Sequence, residues 1–559
     1  MRPQFLLAAL TALASLASAS CYSPGDGQAP PLDQLYFPTG LALDTSALNA
    51  AGEPRYLYVA SSDFDLQYRS SGLISFDLDK IAAAVPHPCA SHSDCGEDSD
   101  DSVRCDMARN TQEAQVVPNL PAYYVPSYVC VPSDAVQPCG DGGEQSAADR
   151  LLYPGRCKPF DQHPFIRSAV GIGAFATNVI FAKDPDSPKS RLFLPVRGDA
   201  TLHWIDLNDG ELQCDQASTS DNSCGESHRA GRNPSDNNDN LSQPSEPFGI
   251  AISEDGKYIG MTNQTAGSVS LYTHDWNSDV GPQLVSIAGG LPAAPVAIAA
   301  VPPVLDVTDP GAPAPGFLVA YRNAAQIDLL RVRNDDADGH PEGNYSRYTF
   351  AYAGSAPIAV NSRGFDSRDI VIDDSERKAG CDPTKLTPAE YLECLRVGPQ
   401  PAVYVANRAP ASLVVGSLAA DFSYASGSSD LPAFTHSIPL TTGPSRLARG
   451  NVRVPAPDST PGPRDEHGKR YDLEPRVFIV CFDSTRIFVY DPKRDVIDTI
   501  IDTGRGPYAL AVDEARGLAY VGFFTDSYVG VVSLDRRFRQ TYGAVIANIG
   551  TPTPPRSSK

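Results

Sequence analysis

A chain of 559 residues with a formal charge of −22 offers no basic face to neutralise polyphosphate, which argues against a nucleic-acid partner. Fifty prolines and forty-four glycines punctuate short runs of Val, Ile, Tyr and Phe, so the composition predicts many short strands joined by turns and little helix. Much of the acid falls in polar stretches such as GEDSDD (96–101) and SDNNDN (235–240), which read as solvated surface.

The chain begins MRPQFLLAALTALASLASASC: one Arg, an apolar run from Phe5, then small residues. This pattern predicts a secretory signal over residues 1–20 that takes no part in the fold. Ala17 and Ala19 would suit an ordinary signal peptidase. Ala19-Ser20-Cys21 resembles the end of a bacterial lipobox, with Ser18 where such motifs carry Leu, and a Pro/Gly-rich segment follows. The expectation is lipidation at Cys21, a flexible tether over 21–32, and residence in the bacterial envelope as an outer-membrane lipoprotein. A periplasmic or secreted protein is the alternative. The longest later apolar stretch, GGLPAAPVAIAAVPPVL, holds four prolines, so no second anchor is expected.

Twelve cysteines fit export. Cys481, inside RVFIVCFD, reads as a small buried hydrophobe. With Cys21 lipidated, ten remain: Cys89, Cys95, Cys105, Cys130, Cys139 and Cys157 in one cluster, then Cys214 with Cys224 and Cys381 with Cys394. Five disulfides are expected, with the connectivity of the six-cysteine cluster open. Paired C-x-x-C spacing is missing, which disfavours structural zinc.

Self-similarity then organises the rest. A first unit, x-P-x-x-[LI]-A, occurs in FPTGLAL (37–43), EPFGIAI (246–252), APVAIAA (294–300), GPSRLAR (443–449) and GPYALAV (506–512). Degenerate copies at ATNVIFA (176–182) and DSRDIVI (366–372) bring the number to seven. Each leads to a second apolar run, such as YLYVAS, LFLPVR, AVYVAN or AYVGFF, and then a third, such as LISFDL or VGVVSL. Many copies add a fourth. Four strands repeated seven times predict an all-β, seven-bladed β-propeller of antiparallel blades over 33–552, with a tail at 553–559. TYGAVIANIG (541–550) is expected to supply the last outer strand.

With YVAN at 404–407, the repeats resemble the YVTN-type propeller family, across residues 33–552. The resemblance implies a seven-bladed ring and, because similar propellers include sugar-lactone hydrolases, a lactonase-like alternative. No lactonase motif can be matched residue by residue, and no catalytic residue is assigned.

On this frame a six-cysteine insertion (80–164) falls between the third and fourth strands of blade one. A helical disulfide insertion (378–399), with the capped phrase LTPAEYLECLR, falls between the first and second strands of blade five. Both project from one rim. A polar disulfide loop (209–244) leaves the other rim between blades two and three.

The candidate mouth residues are Glu246, Arg368, Asp369, Arg446 and Arg505, all near the starts of inner strands and able either to hold an anionic or sugar-like ligand or to pair with each other. Asp63, Asp199, Asn263, Asn323, Asn407, Asp483 and Asp526 follow the second strands and suit turn capping. DCGEDSDDS departs from calcium-loop spacing, and G-x-S-x-G, H-E-x-x-H, Walker and C-x-x-C-H motifs are missing, so neither metal nor cofactor is expected. The resulting expectation is an envelope-anchored binding or assembly module with a protein or saccharide partner. An exported lactonase-like hydrolase, or a sugar-binding propeller using the axial mouth, is the alternative.

Overall fold

Seven sheets follow one another from Pro38 to Ile549, each built from strands consecutive in the chain except in blade one, where a two-stranded insertion separates the third and fourth strands. The computed structural model describes residues 27–553 apart from 86–88, 90–102, 108–127, 133–159, 216–221, 277–280, 303–314, 335–347, 359–365, 382–384, 419–430, 458, 460, 461, 466, 467, 540 and 551. The innermost strands are Pro38–Leu43, Ile180–Lys183, Pro247–Ile252, Pro295–Val301, Ser367–Asp373, Pro444–Pro455 and Pro507–Asp513. Each neighbours the next, and the last packs beside the first, so the ring is closed. The protein is an all-β seven-bladed propeller of antiparallel blades.

Burial explains why the strands read as continuous apolar runs. The second strands Tyr56–Ser61 and Leu518–Phe523 are buried at every residue, because both faces of a blade pack on neighbours. The core is accordingly a set of inter-blade clusters. Leu318 and Ile327 of blade four meet Val403 and Val414 of blade five, and Val59 and Ile74 of blade one meet Tyr520 and Val531 of blade seven. Each such side chain contributes about 1.5–3 kcal/mol when fully buried. Cys481 is buried and free, between blades five and six.

Two excursions clasp blade one to its neighbours. After Glu211–Gln213, the short outer strand of blade two, the chain closes the Cys214–Cys224 disulfide and lays Ser223 parallel to Gly171 on the outer strand of blade one. It returns at Arg229–Ala230 to finish the edge of blade two, so the 209–244 segment expected as a loop contains two strands. On the other side, Phe160 bridges Ile549, the outer strand of blade seven, donating to the Asn548 carbonyl at 2.8 Å and accepting from Gly550 N at 2.9 Å. Val545–Ile549 itself pairs with Tyr528–Ser533, within the stretch expected to supply the final strand.

The blade-one insertion opens with helix Leu78–Ala84, capped by the Asp77 side chain. Within it Val103–Met107 pairs with Tyr128–Pro132, which sets Cys105 opposite Cys130 in register. Cys89 is disulfide-bonded. Cys21, the signal segment, Cys95, Cys139, Cys157 and residues 554–559 lie outside the described residues. In blade five, helix Ser375–Gly380 precedes Pro388–Val397, whose Thr387 and Glu390 form a capping box, and Cys381 bonds Cys394. At the N-terminus the Gln28 carbonyl accepts from Arg69 N at 3.0 Å, so the docked chain begins inside the segment expected as a tether.

Candidate functional site: an axial mouth of two arcs

The x-P-x-x-[LI]-A unit has a repeated three-dimensional meaning. The residue before the proline position has positive φ in all seven blades: Phe37 (47°), Phe175 (60°), Glu246 (56°), Ala294 (57°), Asp366 (118°), Gly443 (87°) and Gly506 (68°). Only two are glycine, so five L-residues hold a left-handed backbone that costs each on the order of 1 kcal/mol or more. The proline position pairs with the end of the second strand, and a β-bulge follows at once. Pro38 faces Ser61 while Gly40 faces Ala60, and the same extra residue recurs in blades three to seven. Blade two matches, with one residue more on the inner strand between the Ala176–Val196 bridge and the Ile180–Phe193 pair. Bulges re-aim side chains and tolerate a donor-less proline.

The residues following the proline position line one axial cavity of about 380 Å³: Thr39 and Thr177 from blades one and two, Phe248 and Val296 from three and four, then Arg368, Ser445 and Tyr508.

A second ring sits above this one. In every blade the carbonyl of the positive-φ residue accepts from the N–H just past the second strand: Ser62 (3.1 Å), Arg197 (3.2 Å), Gln264 (2.9 Å), Arg322 (3.0 Å), Arg408 (2.9 Å), Phe482 (2.8 Å) and Phe524 (2.8 Å). One backbone hydrogen bond thus fixes seven equivalent positions, and their side chains segregate. Blades two to five carry Arg, Gln, Arg and Arg. Blades six and seven carry Phe, and blade one carries Ser62 followed by Phe64, which is 56% exposed at the opening. Aromatic contacts run along that side and on to Phe175 of blade two: Phe175 to Phe64 (6.3 Å between centroids), Phe64 to Phe524 (5.3 Å), Phe524 to Phe482 (6.1 Å) and Phe482 to Tyr508 (6.3 Å). These are favourable edge-type spacings.

Arginines on the other side, those of this ring and Arg368 below it, hold rim carboxylates, with Arg322 Nε standing 3.6 Å from Asp366. Arg197 Nη2 donates to Glu246 (2.5 Å), Arg368 Nη2 to Asp366 (2.8 Å), and Arg408 to Asp483. Arg197 Nε is buried and lacks a partner among the described residues.

Behind the lining of the cavity Arg446 is buried. From blade six it reaches across the axis to the Thr177 carbonyl of blade two (2.9 Å), touches the Tyr508 hydroxyl (3.2 Å), and lies over the rings of Tyr508 and Phe248 (4.9 and 5.8 Å). Asp369 of blade five accepts from Leu447 N of blade six at 2.8 Å. Burial pushes the Asp369 carboxyl above its usual range against the opposing field of Arg446, while that guanidinium stays firmly charged.

Of the five residues proposed for the mouth, Arg368 lines the cavity, while Asp369 and Arg446 are buried together behind its lining, Arg446 against Thr177, Tyr508 and Phe248. Glu246 and Arg505 stand outside the lining, Glu246 held by Arg197 and Thr265, Arg505 by Asp526 at 2.5 and 3.1 Å. Among the acceptors after the second strands, Asp63 caps its turn by accepting from Tyr68 N (3.2 Å), and Asn407 donates to the Pro410 carbonyl (2.9 Å). Asp199 and Asn263 bond side chains instead, His203 and Ser270 respectively. Burial pushes the Asp63 carboxyl up to about 7. The aromatic arc was missed in the sequence, although AYVGFF and VFIVCF end on its members.

A further cavity of about 340 Å³ opens on the opposite rim, beside Asp184, Asp255, His274 and Trp276. Its carboxylates are engaged in their own turns: Asp184 accepts from Asp186 N and Ser187, Asp255 from Ser253 and Lys257 N. No group of three or more His, Cys, Asp or Glu able to hold a metal occurs among the described residues.

No protein-family model and no curated protein matches the chain. Among solved structures it is similar to a putative 6-phosphogluconolactonase from Bacteroides uniformis, at 13% identity over 87% of this chain and 92% of that one, TM-score 0.38. It is likewise similar to a putative 6-phosphogluconolactonase from Bacteroides fragilis, at 9% identity over 84% and 86%, TM-score 0.38. A functionally unknown protein from Desulfotomaculum acetoxidans is similar at 10% identity over 69% and 92%, also with a TM-score of 0.38. The assignment of a seven-bladed propeller stands on this chain's own strand pairing.

Proposed function

We propose that this is a YVTN-type binding propeller of the bacterial envelope, lipid-anchored at Cys21, whose axial mouth receives a ligand. The observation that carries the reading is the composition of that mouth. Its described lining is aromatic, aliphatic, hydroxyl and guanidinium, and the nearest carboxyl described behind it, Asp369, is buried beside Arg446 and not on the lining itself. A cavity of about 380 Å³ is at the small end of ligand sites, which run from ~300 to 1,000 Å³. The anchor fits the geometry: Gln28 docks on the connection that carries Phe64, seven residues after Cys21. At full extension about 25 Å of chain would separate a lipid at Cys21 from that rim, a span that supports a mouth held near the membrane surface.

A lactone hydrolase using the same mouth is the second reading, favoured by Asp369, a carboxyl raised by burial just behind the lining. Two measurements decide. Intact mass from native envelopes is expected to show an acylated chain beginning at Cys21, an increment lost in Cys21→Ala. An unmodified chain beginning near Ser20 removes the anchor. Sugar lactones are expected to persist at the spontaneous rate, and turnover abolished by Asp369→Asn replaces binding by hydrolysis.

A further inference from the structure

We infer that the ligand of this mouth is a small amphipathic anion: an apolar body against the aromatic arc of blades six, seven and one, and a carboxylate or phosphate facing the arginines of blades two to five. The inference rests on the binding reading and deepens it. It starts from the shared hydrogen bond that gives Arg197, Arg408, Phe482 and Phe524 equivalent places in the ring. Equivalent places with unlike side chains make a polarised funnel at this ring, with ion-paired guanidiniums on one side and aromatic rings on the other.

Three further observations support this. Phe64 is 56% and Leu66 51% exposed on one connection, with Asp63 and Leu66 both at positive φ (50° and 53°). Exposed apolar side chains held by a strained backbone mark a contact surface for an apolar body. Arg197 Nε lacks a partner among the described residues, so its ion pair with Glu246 does not saturate that guanidinium. The ion pairs engage Arg197 and Arg408 through Nη2, so further donors of each planar fork remain for a second acceptor. A neutral sugar would offer the guanidinium side acceptors but no counter-charge.

The test uses the full chain and three probes in calorimetric titrations: 2-naphthoate, the uncharged 2-naphthalenemethanol, and dodecanoate. At least one acid is expected to bind, and 2-naphthoate to bind about 10-fold more tightly than the alcohol, as one charge-assisted hydrogen bond predicts. Arg197→Gln and Arg408→Gln should each weaken the acids about 5- to 10-fold and leave the alcohol unchanged. Phe64→Ala, at a position 56% exposed, should weaken acid and alcohol alike. A preference for 2-naphthoate assigns a planar aromatic acid and one for dodecanoate an acyl-chain amphiphile, both within the inferred class. Equal binding of acid and alcohol, or arginine variants without effect, overturns the anionic class and leaves the binding mouth standing. Binding of none of the three overturns the whole ligand inference. Lactone turnover, measured on the same samples, is the outcome that removes the binding reading itself.

Discussion

At the position past the second strand, blades two to five and blades six to one present the same backbone to the axis and opposite chemistry. Both arcs use a positive-φ residue, a bulge after the proline position and one hydrogen bond to the residue past the second strand. The first arc places Arg197, Arg322 and Arg408 there, the second Phe482 and Phe524. The repeat therefore supplies position, and departures from the repeat supply recognition. Function in such a ring is to be sought in columns where equivalent residues disagree.

The strongest way to break the comparison is to remove what joins the arcs. Arg446→Met withdraws the donor from the Thr177 carbonyl and the counter-charge from Asp369, and should cost about 3 kcal/mol in urea denaturation. Adding Asp369→Asn should restore part of the loss. An unchanged midpoint for the single variant would mean that the crossing arginine does not join the arcs.

Next in size is the strain common to both arcs. A Cβ on Gly443, at φ 87°, would lie 2.5 Å from Asp483 N, so Gly443→Ala should destabilise by about 1–3 kcal/mol. At the equivalent Ala294 (φ 57°), Ala→Gly relieves strain while loosening the unfolded chain, and should stay within about 1 kcal/mol of the parent. A neutral Gly443→Ala would refute a shared left-handed ring.

The aromatic arc also has a pH signature. The Asp63 carboxyl is raised in the folded chain from its ordinary 3.8 to about 7, so between those values the folded state keeps a proton that the unfolded state has released. Stability should accordingly fall as pH rises from about 4 to 7, and Asp63→Asn should flatten that interval. Denaturation midpoints at pH 5 and 8 measure it; an identical slope in the variant would assign the dependence elsewhere. The smallest effect is expected where the arcs meet: Arg408→Gln breaks a partly exposed ion pair to Asp483 and should change stability by less than about 1 kcal/mol, while altering acid binding.

Blade number and order were legible because the proline-led unit recurs with hydrophobic runs of even length. The bulge and the left-handed residue before it were not, since nothing in the composition of Phe37, Glu246 or Ala294 announces a positive φ. That gap explains how the mouth residues sorted. Arg446 and Arg505 both lie close to a Gly-Pro pair, in GPSRLAR and GRGPYAL. Arg505 precedes the left-handed glycine and stays on the rim with Asp526. Arg446 comes after the bulge and crosses the axis. The second-strand acceptors were similarly read one or two positions away from the ring: Asp483 and Asp526 stand beside Phe482 and Phe524. A polar search passed over the apolar column next to it.

The closure of the ring carries a consequence for the order of assembly. Phe37 N bonds the Ser527 hydroxyl across 490 positions, and Phe160 pairs with Ile549, so blade one acquires its second neighbour only when nearly the whole chain is present. Contacts that remote make ring closure a late and slow event. Until then, the apolar edge of blade one stands exposed, a period in which an emerging chain is most open to mispairing and to holding by chaperones.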